Sequence, residues 1–291
     1  MKVKTAVEMT KGEIMMKRTC ILLMVLVLLL AGCARQAFDP SETIGVTTRE
    51  SGSGTRSAFM ELFEIEKIKT DAVETNNTAV MMTTVAGDRH AIGYSSLGTL
   101  GDTVKALKID GVSATAENVK SGEYKVVRPF VLANKSDLSA AARDFVEFIT
   151  SADGQQIVEQ QGYIPAVANA KAYGGEVKSG KIVVGGSSAV APLMEKLKEA
   201  YEAKNSGVTV EINQTDSSSG IADAAESVCD IGMSSRELKD SELAKGLEST
   251  VMAQDGFAVI VNHDCPVDSL TSEQVHQIYT GELTTWSELL P

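Results

Sequence analysis

An α/β fold of open sheets flanked by helices, with a ligand at the sheet rim, is what this sequence predicts. Two observations carry that expectation. Apolar, β-prone runs end four times in Ser/Gly-rich clusters that lead into the next element: Thr48-Arg49-Glu50-Ser51-Gly52-Ser53-Gly54-Thr55-Arg56, Gly185-Gly186-Ser187-Ser188-Ala189, Asp216-Ser217-Ser218-Ser219-Gly220 and Ser234-Ser235-Arg236. The strand, turn and helix pattern also fades near residue 168 and begins again near residue 181. At 291 residues, 43% of them hydrophobic, the chain has length for two domains and apolar content for an ample core. A net charge of −12 argues against nucleic acid as a partner, which needs a basic footprint. It leaves room for a small anion, which feels local dipoles more than distant surface charge.

The first 33 residues read as an address. Lys17-Arg18 precedes the apolar run 21–30, which ends in Leu30-Ala31-Gly32-Cys33. A basic start, a short apolar stretch and small residues at its exit describe a secretory signal. Its ten apolar residues fall short of the roughly 20 that a spanning helix needs. The Leu-Ala-Gly-Cys ending resembles a bacterial lipobox, which implies cleavage before Cys33 and lipid on its thiol. Lys11-Gly12-Glu13 is encodable by a purine run resembling a ribosome-binding site, so Met15 or Met16 is the expected true start. An oxidising exterior permits a disulfide between Cys229 and Cys265, but their different local contexts favour two free thiols.

Along the mature chain, residues 34–43 read as a tether. Ile44, Val46 and Thr47 form a strand, and Phe59, Leu62 and Phe63 line the following helix. Residues 75–86 are weakly helical, with Val80, Met81 and Val85 expected to face inward. Residues 91–94 and 104–109 read as short strands, and 126–132, interrupted by Pro129, as an edge strand. Leu138, Ala141, Ala142, Phe145, Phe148 and Ile149 follow a 3.6-residue period over a helix at 138–150. A second helix starts at Ser151 or Asp153 and stops before Gly162 and Pro165. Residues 168–179 carry few apolar anchors and read as a linker. Beyond them come a strand at 182–184 and a helix entered near Pro192 and lined by Leu193, Leu197, Ala200 and Tyr201. A strand at 208–212, a helix at 221–227 and a strand at 231–233 follow. Residues 251–253 and 257–261 are β-like on either side of Asp255-Gly256. A helix at 271–279, capped by Thr271 or Ser272, comes last, and the chain runs out past Trp286.

The chemistry lies at the four junctions. The first turn of a helix has unsatisfied N–H groups and the positive end of the helix dipole, so it attracts anions. Arg49 adds a full charge and a planar fork suited to a tetrahedral oxyanion. Taken singly, each junction also reads as an ordinary turn. Four together at strand ends point to an oxyanion pocket, because ligands of open α/β sheets sit beyond the carboxyl ends of strands. Catalysis has no support: there is no Gly-x-Ser-x-Gly elbow, no histidine near these serines and no Gly-Lys-Ser/Thr phosphate loop. His90, His263 and His276 have no ligand spacing, so neither a metal nor a cofactor is expected.

At these residues the chain resembles the phosphate-binding proteins of bacterial phosphate-specific ABC transporters. Residues 49–56 match the family's Arg-x-x-Gly-Ser-Gly-Thr motif. Residues 187–193, 216–221 and 230–236 match its other binding segments, and Ala91-Ile92-Gly93-Tyr94, Arg128-Pro129-Phe130, residues 160–165 and residues 280–287 support the match. The resemblance implies a two-lobed fold like that of type II periplasmic binding proteins: mixed sheets, flanking helices and a ligand cleft between lobes. It implies that Arg49 pairs with phosphate while Ser53, Gly54 and Thr55 donate to it from one side. Ser188, Ala189, Ser217 and Ser235 would donate from the other. Some family members carry an aspartate, accepting the proton of hydrogen phosphate, where Ser235 stands.

The order of the halves departs from the family's. There the segment resembling residues 181–291 comes first and that resembling residues 44–168 second. Here they are exchanged, as in a circular permutation, with residues 169–179 bridging the family's old termini. That order implies a split lobe, residues 39–130 with 263–291, and a continuous lobe, 131–262, hinged near Phe130 and Val261.

The resulting expectation is a monomeric, lipid-anchored protein on the extracytoplasmic face of the cell membrane. It would bind inorganic phosphate and deliver it to the permease and ATPase subunits of an ABC transporter. Rival readings are a surface phosphate sensor or scavenger, a serine-dependent hydrolase, and a non-functional permuted fragment. The fragment reading expects that the regions of Asp39 and Pro291 never meet.

Overall fold

Seen in the computed structural model, which describes residues 37–290 except 176 and 178, the alternation of strand and helix holds across both halves of the chain. The signal region, both candidate start methionines and Cys33 lie outside the described residues. Residues 39–291 make one compact unit; of residues 1–38, only Ala37 and Phe38 are described, and neither has regular structure.

The first half contains β1 (Gly45–Arg49), α1 (Gly54–Leu62), β2 (Val73–Thr75), α2 (Thr78–Gly87), β3 (Ala91–Ser96), β4 (Lys105–Ala106), β5 (Lys108–Ile109) and α3 (Ala116–Ser121). Then follow β6 (Val127–Lys135), α4 (Ala140–Thr150), α5 (Ala152–Gln160) and β7 (Ile164–Pro165). The second half contains β8 (Gly180–Ser187), α6 (Ala191–Lys204), β9 (Val208–Thr215), α7 (Ser217–Ala225), β10 (Ile231–Ser234) and α8 (Asp240–Leu243). It closes with β11 (Leu247–Val261), β12 (Ser269–Leu270) and α9 (Ser272–Thr280).

Among the described residues the main sheet has ten strands, in the order β2-β1-β3-β11-β6-β10-β8-β9, with β4 and β7 also paired to β11. Its two ends are parallel: β1 with β2 and β3, and β8 with β9 and β10. The antiparallel pair β6 and β11 joins them, and β11 exchanges neighbours along its length. It lies beside β6 from Leu247 to Gly256 and beside β3 from Phe257 to Val261. Three antiparallel ladders separate the two parallel ends, so β1 and β3 run opposite to β8, β9 and β10. The offset of β3 and β6 along β11 makes the carboxyl ends of these two sets face each other near its middle, where the helix N-termini gather.

Several elements differ from the sequence reading. Asp255-Gly256 does not break a strand, since β11 runs through it, paired with Arg128 and Val127. β6 is central, not an edge strand. Pro129 is tolerated because β10 joins β6 only from Val131 onward, so at Pro129 the strand is paired on the β11 side alone. Val80 is 42% exposed although Met81 and Val85 are fully buried, because α2 turns a narrower apolar face to the sheet than its composition suggests. The 104–109 strand is two short strands, and β2, α3 and α8 carry no strong apolar period.

Two apparently loose segments are tied down. The described residues of 168–179 have no regular structure, yet Tyr173 packs edge-on to Phe148 and Tyr201, with its hydroxyl 2.5 Å from Asp144 Oδ2. Asp144 also accepts from the Tyr201 hydroxyl at 2.7 Å, and the Asn205 amide donates to the Tyr173 hydroxyl at 3.0 Å. Burial is the leading cause that raises the Tyr173 hydroxyl to about 12. One aromatic anchor thus does what a periodic apolar face would have done. The start and end of the unit also meet: Ser287 N donates to Pro40 O at 2.7 Å, Ile44 N to Thr284 O at 2.8 Å, and Thr43 bridges Thr285. This contact goes against the fragment reading, although Pro291 itself lies outside the described residues. Cys229 and Cys265 are buried free thiols.

Candidate functional site at the strand ends

Arg49 ends β1 and is 2% exposed. Its position is set from behind by Tyr94 of β3, whose hydroxyl accepts the Arg49 N–H at 3.1 Å and lies 2.9 Å from Thr48 Oγ1. Tyr94 in turn stacks on Phe59 of α1 at 4.0 Å, so the helix and the arginine share one support. Burial raises the Tyr94 hydroxyl above its ordinary value, which keeps it neutral.

The Arg49 guanidinium is held on several sides. Its Nε and Nη2 donate to the two oxygens of Glu50 at 2.9 and 2.7 Å, and Nη1 donates to Thr78 Oγ1 at 3.1 Å. Nη2 also donates to Ser188 Oγ at 3.0 Å, across 139 residues of chain. That bond joins the first junction to the second.

The remaining junctions converge at the same place. Ser53 caps α1, its hydroxyl accepting from Arg56 N, and Asp216 caps α7 by accepting from Ser219 N at 3.0 Å and Ser219 Oγ at 2.6 Å. Ser235 accepts from Ser187 Oγ at 3.0 Å and lies 3.4 Å from both Thr55 Oγ1 and Ser217 Oγ. Its N–H donates to Ser217 Oγ at 3.1 Å, and Ala189 N donates to Ser187 Oγ at 3.3 Å. Thr55, Ser187, Ser188, Ser217 and Ser235 are all buried. Across the two halves, Ser218 N also donates to Gly52 O at 3.2 Å.

Two glycines allow this approach. A Cβ on Gly54 would stand 2.3 Å from Ser217 Oγ and 2.9 Å from Ser235 Oγ, so a side chain there would push the halves apart. Gly186, next to last in β8, has φ +130°, and a Cβ on it would meet Met233 O at 2.3 Å, so only glycine fits where β8 delivers Ser187 and Ser188.

All eight residues singled out in the sequence lie in this cluster or at the junctions that form it: Arg49, Ser53, Gly54, Thr55, Ser188, Ala189, Ser217 and Ser235. Sequence reasoning missed Thr78 and the part played by Ser187. It also found no second cation, whereas the structure brings Arg56 and Arg236 to the junctions. Arg56 Nη1 donates to Arg49 O at 2.9 Å and pairs with Glu74, and Arg236 pairs with Glu242 at 2.7 Å. Each of the three arginines has a carboxylate of its own, so attraction for an anion rests on the local aim of N–H and O–H groups, not on net positive charge.

The histidines lie elsewhere: His90 Nε2 accepts from Asp39 N, His263 contacts Asp102 O and His276 contacts Phe63 O. Among the described residues no group of His, Cys, Asp or Glu has the arrangement of a metal site, and no helix is long and apolar enough to cross a membrane.

The sequence matches the PBP superfamily domain over residues 35–153 and 171–291. A phosphate-binding protein PstS 2 of Streptococcus agalactiae is 51% identical over 273 residues, covering 90% of this chain and 93% of the relative. The crystal structure of a phosphate-binding protein of a phosphate ABC transporter from Streptococcus pneumoniae aligns with a TM-score of 0.69 at 42% identity. That alignment covers 84% of this chain and 99% of the other. By contrast, the phosphate-binding protein PstS of Staphylococcus saprophyticus is 35% identical over 129 residues, 40% of each chain.

Proposed function

The chain belongs to the PBP superfamily and, within it, to the PstS phosphate-binding proteins; from that premise we propose that it binds inorganic phosphate outside the cytoplasm and delivers it to an ABC transporter. The observation that carries this reading is the Arg49–Ser188 bond, which places junctions from both halves around one point. Phosphate would take oxygen-accepting positions opposite Arg49, the Ser53, Thr55, Ser188, Ser217 and Ser235 hydroxyls, and the N–H groups of Gly54, Thr55 and Ala189. Hydroxyls suit this task because each can turn its hydrogen toward an arriving oxyanion. The hydroxyls contact one another and no histidine, an arrangement for holding an ion and not for transforming it.

The signal-like start and Cys33 support a lipid anchor that keeps a monomer at the membrane, within reach of permease and ATPase subunits. The exchanged order of halves is part of the proposal. The finding that favours it is the match over only 40% of each chain with the Staphylococcus saprophyticus relative. A sequential alignment meets only one half at a time when the other lies on the wrong side of it. The two lobes would be residues 39–130 with 263–291 and residues 131–262, and the β6–β11 pair would carry the hinge between them.

Transport, as opposed to sensing or scavenging, is tested in cells. Deleting the gene should slow uptake of labelled phosphate at micromolar supply, and the wild-type gene should restore it while the Arg49→Ala gene does not. Unchanged uptake in the deletion strain would overturn the transport role.

A further inference from the structure

Arg236 follows the proposed ligand Ser235 directly and is 6% exposed, yet the anion site as described above gives it no task. Its two terminal nitrogens are spent on neighbours, while the buried Nε has no hydrogen-bond partner. Nη1 donates to Glu242 Oε2 at 2.8 Å and to Glu237 O at 2.8 Å; Nη2 donates to Glu242 Oε1 at 2.7 Å and to Ser218 Oγ at 3.2 Å. Glu242 is fixed in turn, because its Oε2 accepts the Lys239 N–H at 2.8 Å at the start of α8. Burial alone would raise the Glu242 carboxyl, but Arg236 and the Lys239 N–H outweigh it and hold the carboxyl below its ordinary value. The turn beneath is closed by Ser234, whose hydroxyl donates to Arg236 O at 2.8 Å and accepts the Arg236 N–H at 3.3 Å.

Ser218 is the informative partner. It stands in the first turn of α7, next to Ser217, and its own N–H crosses to Gly52 O in the opening junction. The 234–236 turn therefore grips the α7 N-terminus twice, through Ser235 N to Ser217 Oγ and through Arg236 Nη2 to Ser218 Oγ. The same first turn then reaches across to Gly52. An ammonium could neutralise Glu242 but could not present two parallel donors to it while also reaching Ser218.

We propose that Arg236 is a positioning residue for anion binding: its guanidinium, anchored on Glu242, holds the α7 N-terminus through Ser218 in register with Ser235 and Gly52. This rests on the reading of the cluster as a phosphate site. Arg236 itself donates nothing to the ion. It fixes the distance between the donors of α7 and those of the opening junction, and a shift there would loosen every cross-cleft contact together.

The test is calorimetric titration with inorganic phosphate of the wild-type protein and of Arg236→Gln, Arg236→Lys, Ser218→Ala and Arg236→Gln/Ser218→Ala. The thermal midpoint of each is recorded without phosphate. Arg236→Gln is expected to weaken phosphate binding about tenfold, and Ser218→Ala by less. The double variant should bind no more weakly than Arg236→Gln alone, because both changes remove one connection. Arg236→Lys should fail to restore affinity even though it restores charge. Glu242→Gln, which keeps the shape of the pair, should weaken binding in the same direction and covers the case in which Arg236→Gln fails to fold. Wild-type affinity in Arg236→Lys, or losses in the double variant that add in full, would overturn the positioning role. A wild-type protein that does not bind phosphate would instead overturn the reading of the site.

Discussion

Replacing Arg49 by alanine is expected to weaken phosphate binding by about a hundred- to a thousandfold, as removal of one partner from a buried, hydrogen-bonded charge pair does. Two losses add. The ion loses a charged, planar donor, and Glu50, which now receives two bonds from Arg49 at 2.9 and 2.7 Å, is left as an unpaired negative charge beside the ion. The second loss makes a sharper expectation: Arg49→Ala with Glu50→Ala should recover part of the affinity that Arg49→Ala alone destroys. Arg49→Lys should stay well below wild type, because one ammonium cannot meet Glu50, Thr78 and Ser188 together. Titration calorimetry reads all three, and affinity unchanged in Arg49→Ala would remove the arginine from the site.

The second large effect is on stability. Arg128 of β6 and Asp255 of β11 stand opposite each other in the ladder, each 1% exposed. Arg128 donates to Asp255 Oδ2 from Nε at 3.0 Å and from Nη2 at 2.9 Å, Ser96 donates to Oδ1 at 2.8 Å, and the guanidinium lies 4.2 Å over the Phe257 ring. Burial pushes the Asp255 carboxyl up and the Arg128 guanidinium down, each against the pull of the other. Such a pair adds little net stability, but breaking it strands a charge in the interior. Asp255→Asn should therefore cost about 3–5 kcal/mol, read from urea unfolding, while Arg128→Met with Asp255→Leu should cost far less. A double variant as damaged as the single one would contradict this. The pair sits where β11 passes from β6 to β3, so the stress would fall on the strands that join the two parallel ends of the sheet.

Much of this site was legible in the sequence because its chemistry is local. A strand end, a Ser/Gly cluster and a helix start lie within about ten residues of one another, and Thr271 announces the helix it caps. The helix read at 221–227 in fact begins at Ser217, because Asp216 caps it and the serines form its first turn. What was not legible depends on register. Nothing near Asp255-Gly256 signals that the strand continues, because its continuation is set by β6 and β3, both more than a hundred residues away in the chain. Pro129 suggested an edge because proline lacks a ladder donor, and only the staggered start of β10 shows how a central strand accommodates it. Thr78 and the role of Arg236 escaped notice for the same reason. One meets Arg49 from α2 and the other meets Ser218 from the turn after β10, contacts that no local spacing encodes. The segment at 168–179 read as loose because its anchor is a single aromatic side chain and not a period.

The central claim is that junctions from both halves of the chain close around one phosphate ion. Calorimetric titration of the purified protein with inorganic phosphate tests it most directly, with the variant carrying Ser188→Ala, Ser217→Ala and Ser235→Ala together run beside it. The account predicts saturable binding of one ion per chain in the wild type and its loss in the triple variant, which leaves Arg49 and the opening junction intact. Absence of saturable binding in the wild type, or full affinity in the triple variant, would contradict it.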